Sequence, residues 1–118
     1  MKKETIRDVE NSVIRTYKKV NPSTYNIDVS SEEFAKRKYY MENLFIRKIN
    51  FPPKMFDRST FLEFGSGTGE HSLFFLLWGG CGTFVEANND ACNRAAGLFK
   101  KFAPDASFEI VNKSLFDF

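Results

Sequence analysis

Apolar positions near the start of the chain recur at helical spacing: Ile6, Val9, Val13, Ile14, Tyr17 and Val20 fall on one face of a helix, which Asn21 and Pro22 stop. A second helix is predicted from Ser30. There Ser30-Ser31-Glu32-Glu33 fits a capping box, in which the serine hydroxyl and Glu33 satisfy each other's free backbone donors. This helix carries Phe34, Met41, Leu44 and Phe45 inward. It ends before Phe51-Pro52-Pro53, because a residue ahead of proline is pushed out of helical dihedrals and proline has no N–H to donate. Beyond the prolines the pattern changes to short strands at Thr60–Phe64, Thr83–Glu86 and Ser107–Val111, alternating with helices over about Glu70–Trp78 and Ala91–Phe102. Gly79, Gly80 and Gly82 supply one turn, Asn88, Asn89 and Asp90 cap the last helix, and Pro104 with Asp105 punctuates the final connection. Such alternation predicts an α/β fold, a parallel sheet with flanking helices, preceded by an amino-terminal helical extension.

Composition narrows the picture. A length of 118 residues suits one domain or part of one, and 14 Phe, 4 Tyr and 1 Trp supply ample core material. The net charge of +2 is too small for a dedicated nucleic-acid binder. The two parts differ, with a balance of +4 up to Asn50 and −2 from Phe51 onward. No export signal or membrane span is predicted, since the longest apolar run, Leu73 to Trp78, is far short of the ~18 residues a span needs. Cys81 and Cys92 are too few for a disulfide framework or a zinc site; two reduced cysteines and a cytoplasmic location are expected, with no bound metal.

The chemistry concentrates in Thr60-Phe61-Leu62-Glu63-Phe64-Gly65-Ser66-Gly67-Thr68-Gly69-Glu70-His71, a strand that runs into a glycine loop opening a helix. Glycines there allow a sharp turn and let a ligand lie against bare backbone beside the free N–H groups of a helix start. After the second strand comes Glu86, 21 positions beyond Gly65, a spacing at which a carboxylate suits the hydroxyls of a ribose. Two details choose among nucleotides. The dinucleotide pattern G-x-G-x-x-G would need glycine at position 70, where the chain has Glu70. Glu63, close to the first glycine, would repel a pyrophosphate but favours a ligand that carries an ammonium and a sulfonium.

Leu62-Glu63-Phe64-Gly65-Ser66-Gly67-Thr68-Gly69, with the later Phe84-Val85-Glu86, resembles the first two cofactor motifs of class I S-adenosylmethionine-dependent methyltransferases, over roughly half the chain. The resemblance implies a Rossmann-like methyltransferase fold with S-adenosylmethionine as cofactor. Residues 1–53 then form the helical extension and residues 54–118 the cofactor-binding half of the domain. It implies that Gly65, Ser66, Gly67 and Gly69 pack against the methionine part and that Glu63 orients its amino group. Glu86 takes the ribose hydroxyls and Ala87 borders the adenine. Where related chains place an acid for the adenine amine, this one has Ser114, so adenine contacts are expected at Ser114 and Leu115.

The implied activity is transfer of the cofactor methyl group to a small-molecule acceptor through oxygen, nitrogen, carbon or sulfur. The catalytic residue is not identified. The family sheet runs 3-2-1-4-5-7-6, of which only the first three strands are present. The chain is therefore expected to be the amino-terminal part of a longer enzyme, or a piece completed by a second chain. A non-catalytic cofactor-binding or interaction module stays open, as does, less favourably, a fragment of a nicotinamide-dependent dehydrogenase. His71 is read as a packing or peripheral residue. Tyr39 and Tyr40, which could close over a cofactor, are read as the rim of an amphipathic helix with a solvated basic face.

Overall fold

In the computed structural model, residues 5–20 and 30–118 are described, with the side chains of residues 17–20 left aside. Helix α1 spans Ile6–Val20, and its expected stop at Asn21 and Pro22 lies outside the described residues. Its apolar face is not buried against the core: Ile6, Val9 and Val13 are all exposed. Helix α2 spans Ser31–Asn43 with Ser30 as its N-cap, the Ser30 hydroxyl accepting the Glu33 N–H at 3.1 Å. Only this half of the capping box forms. The Glu33 carboxylate pairs instead with Lys36 at 3.8 Å.

Leu44 to Lys48 then widen into a π-helical turn, and the chain leaves it through Asn50, whose φ of +57° lets the Phe51 N–H reach back to the Phe45 carbonyl at 2.7 Å. The helix thus ends ahead of Phe51-Pro52-Pro53, as the prolines require. Of the four residues expected inward, Met41 is buried and Phe34, Leu44 and Phe45 are half-buried. Phe34 stacks on Phe102 and Phe45 meets Trp78 edge-on, so α2 and the turn after it lie on the helices that follow.

The remainder is strand β1 (Thr60–Phe64), helix α3 (Ser72–Leu77), strand β2 (Cys81–Val85), helix α4 (Asn89–Phe102) and strand β3 (Phe108–Val111). The strands form one parallel sheet in the order β1-β2-β3, with Phe61 beside Gly82 and Glu63 beside Phe84 in register. An α/β, Rossmann-like sheet with flanking helices is what the sequence pattern predicts. The boundaries shift: β2 begins at Cys81 rather than Thr83 and stops short of Glu86, and α3 begins only at Ser72, leaving Glu70 and His71 in the loop.

One face of the sheet carries Phe61, Gly82, Phe84 and Phe108, and against it pack Phe75 of α3 and Phe99 of α4. Gly82 is required here by close approach: a Cβ would stand 2.5 Å from the Phe61 ring. Leu73, Leu76, Phe84, Ala95, Leu98, Phe99 and Ala103 complete the buried core. The glycine loop is held at the carboxyl end of β1 by this packing. Among the described residues no helix is long and apolar enough to cross a membrane.

Candidate functional site

The loop after β1 takes its shape from three glycines in the left-handed region, with φ of +70° at Gly65, +60° at Gly67 and +87° at Gly69. Their surroundings differ. A Cβ on Gly65 or Gly67 would meet nothing within 4 Å, whereas one on Gly69 would stand 2.9 Å from the Phe99 ring and 3.0 Å from the Ala95 methyl. The first two glycines leave open space over the backbone. The third lets the loop press onto α4.

Glu86, just past β2, ties the loop to the start of α4. Its carboxylate accepts the Gly67 N–H at 2.9 Å through one oxygen and the Asn88 N–H at 2.8 Å through the other. Asn88 in turn caps α4, its side-chain oxygen accepting the Asp90 N–H at 3.1 Å. A carboxylate has about four acceptor positions, so Glu86 retains capacity after both amides are satisfied.

Above these groups lies a cleft of about 550 Å³ lined by Gly65, Gly67, Glu86, Ala87, Asn88 and Ala91 on one side and by Glu10, Val13 and Ile14 of α1 on the other. Four of the expected cofactor residues, Gly65, Gly67, Glu86 and Ala87, therefore meet in one cleft. The others stand around it. Ser66 is half-buried in the loop and Gly69 is buried beneath it. Ser114 gives its hydroxyl proton to the Glu10 carboxylate at 2.8 Å and accepts the Phe116 N–H at 3.1 Å, while Leu115 is exposed.

Glu63 points to the helix-covered face of the sheet, where the Ser72 hydroxyl donates to it at 2.8 Å. Burial pushes its carboxyl above the ordinary glutamate range, and the Ser72 hydrogen bond offsets part of that rise. Glu70, buried beside the loop, accepts from the Thr68 hydroxyl and faces the Arg94 guanidinium at 3.5 Å. This brace fixes the loop from below.

His71 lies away from the cleft, beneath α2. Its ring stacks with Tyr40, and its Nε2 stands 3.4 Å from the Arg37 guanidinium. Burial, and then the Arg37 charge, push its pKa down, with Glu70 opposing them. Tyr39 is exposed. The two tyrosines thus sit on α2 as its rim, and α1 is the helix that faces the cleft. Cys81 is exposed on β2; Cys92 is buried, with its thiol 3.4 Å from the Glu86 carbonyl.

Sequence reasoning missed Glu10, Val13, Ile14 and Ala91 as cleft residues. A signal existed for Glu10, a carboxylate four residues after Ile6 and three before Val13, within the apolar stripe of α1. Ala91 offers no signal beyond its small size.

No family model matches the chain, and no curated protein matches it. Solved structures do match. The chain is similar to protein arginine methyltransferase 10 of Arabidopsis thaliana, with 24% identity and a TM-score of 0.54 over 67% of this chain and 21% of that one. It is also similar to an S-adenosylmethionine-dependent methyltransferase from Clostridium acetobutylicum, with 12% identity and a TM-score of 0.50 over 90% of this chain and 37% of that one. The chain therefore spans well under half the length of either structure. Its fold is that of class I S-adenosylmethionine-dependent methyltransferases.

Proposed function

We propose that this chain binds S-adenosylmethionine and forms the cofactor-binding part of a methyltransferase that acts on a small molecule. The observation that carries the reading is the open backbone over Gly65 and Gly67 beside a Glu86 carboxylate already oriented by two amides. In this reading Gly65, Ser66 and Gly67 hold the methionine part. Glu86 uses its remaining acceptor capacity on the ribose hydroxyls, and Ala87 borders the adenine. Glu63 lies beneath the loop as the anion for the amino group, Gly69 keeps the loop pressed on α4, and Ser114 and Leu115 stand at the adenine end. Residues 54–118 make up the cofactor-binding unit and residues 1–53 the helical extension, whose α1 closes the same cleft.

When bound, S-adenosylmethionine supplies a methyl group on a sulfonium. The work of this chain's own residues is to hold and orient it and to exclude water from one side, which accelerates transfer by alignment. Neither His71 nor either cysteine lines the cleft, so none is proposed as a base. In this reading any group that positions the small-molecule acceptor or takes its proton comes from a further segment or a second chain that completes the sheet beyond β1.

The test is calorimetric titration of the 118-residue chain with S-adenosylhomocysteine, with NAD as control and Gly67→Arg as the blocked variant. Micromolar binding of S-adenosylhomocysteine alone, lost in the variant, is the expected result. Binding of NAD instead would overturn the reading. A folded chain that binds neither would also overturn binding by this chain alone and leave it a fragment whose site needs further residues, or an interaction module.

A further inference from the structure

The cleft has two walls of different origin. One comes from the loop and β2; the other is α1, which places Glu10, Val13 and Ile14 over it. Val13 and Ile14 on one side, with Ala87 and Ala91 on the other, make an apolar slot fit for a flat ring. Two carboxylates line the cleft. Glu86 is oriented by the Gly67 and Asn88 amides at the loop end. Glu10 comes from the facing helix, and its Oε2 accepts the Ser114 hydroxyl at 2.8 Å. Among the described residues its other oxygen has no hydrogen-bond partner. The ion pair between Arg7 and Asp117, one helical turn away, ties the same face of α1 to the segment carrying Ser114.

A carboxylate at the edge of an apolar slot selects a ring that offers an N–H donor, because a buried acceptor left unpaired is costly. Ser114 is less suited to that task. It has one proton, committed to Glu10, and its oxygen already accepts the Phe116 N–H. We infer that Glu10 accepts a hydrogen bond from the exocyclic amine of the ligand's purine, with Ser114 as a positioning residue that holds the Glu10 carboxylate, so that α1 is one wall of the nucleobase subsite. The inference rests on the S-adenosyl reading above and assigns the amine contact to α1 rather than to the segment after β3. It also explains why a helix with so much exposed apolar surface is fastened by polar contacts at Arg7 and Glu10.

The experiment is a thermodynamic cycle read by calorimetry. Wild-type, Glu10→Ala and Ser114→Ala chains are each titrated with S-adenosylhomocysteine and with its analogue lacking the 6-amino group, and circular dichroism checks the fold of each. Removing the amine should weaken wild-type binding by about tenfold, the worth of a charge-assisted hydrogen bond. Glu10→Ala should weaken binding of the parent ligand by a similar factor and be indifferent to the amine, since both changes remove the same contact. Ser114→Ala should retain part of the discrimination. If Glu10→Ala keeps the wild-type affinity, or still discriminates the amine fully, the inference fails and the S-adenosyl reading survives. If the folded wild-type chain binds neither ligand, both fail together.

Discussion

Two carboxylates at the site are held in different ways, and the buried one, Glu63, carries a pH dependence. Glu86 accepts two backbone amides, whereas Glu63 has one hydroxyl partner in a largely dry setting. With its folded pKa raised, Glu63 binds its proton more tightly in the folded state than in the unfolded chain. Its contribution to stability is therefore present at low pH and lost as pH rises through the interval above the ordinary glutamate range. Ligand binding runs the other way, because an ammonium requires the ionised carboxylate. Affinity for S-adenosylhomocysteine should fall as pH is lowered through the raised Glu63 pKa. Glu63→Gln should flatten that profile, lower affinity about tenfold near neutral pH and raise the denaturation midpoint of the free chain; calorimetry across pH, with denaturant melts alongside, reads all three.

The glycines make a second contrast. Gly69→Ala combines a strained φ of +87° with contacts of 2.9 and 3.0 Å and should cost roughly 2–4 kcal/mol of stability. Gly67→Ala, at φ of +60° with nothing within 4 Å, should cost only about 1 kcal/mol. Its methyl would stand on the cleft wall, so binding should suffer more than folding. Paired urea melts and titrations separate the two.

Among the elements, α1 is the one whose removal should cost function more than stability. Ile6, Val9 and Val13 remain 66%, 47% and 45% exposed, so the helix contributes little buried area, yet it supplies a full wall of the cleft. A chain starting at Ser30 should keep its far-ultraviolet dichroism per residue of sheet and a melting temperature within a few degrees. Its affinity for S-adenosylhomocysteine should drop about tenfold or more, as an apolar slot loses half its lining; equal affinity would show that α1 is a bystander. This role was not legible in the sequence. Helical periodicity states that a face is apolar, and nothing in Val13 or Ile14 says whether that face meets a core or a ligand.

Elements governed by local chemistry were legible. Ser30 caps α2, Asn88 caps α4, and Pro52 and Pro53 follow the end of the second helical segment, each through backbone donors that neighbouring residues must satisfy or lack. The start of α3 was misread because Glu70 and His71 are good helix candidates by composition. A local hydrogen bond from Thr68 and tertiary contacts hold them in the loop instead, through Arg94 for Glu70 and through Arg37 and Tyr40 for His71. At the site, Gly65, Gly67, Glu86 and Ala87 were readable from motif spacing. Glu10 lies 55 positions before Gly65, and only packing brings it across the cleft.

At the scale of the molecule, the sheet is finished on one side only. Helices α3 and α4 both cover the face that carries Phe61, Phe84 and Phe108, as successive right-handed crossovers in one direction demand. On the opposite face Leu62 and Phe64 of β1 remain 49% and 47% exposed, with the ring of Phe118 edge-on to Phe64 at 5.7 Å. No described strand pairs with the outer edge of β1. An apolar strand with a free edge and a bare face is a template for another strand. The chain by itself should therefore associate with rising concentration, which sedimentation velocity over a range from about 1 to 100 μM would detect. Leu62→Lys with Phe64→Lys places charge on the bare face without touching Phe61 or Glu63 on the packed one, so it should restore a monomer while leaving binding at the glycine loop in place. A wild-type chain that stays monomeric throughout would mean that β1 is covered by its own chain in solution. The glycine loop that lines the cleft follows directly on the strand that carries the bare face, so whatever partners β1 also steadies the loop after Phe64.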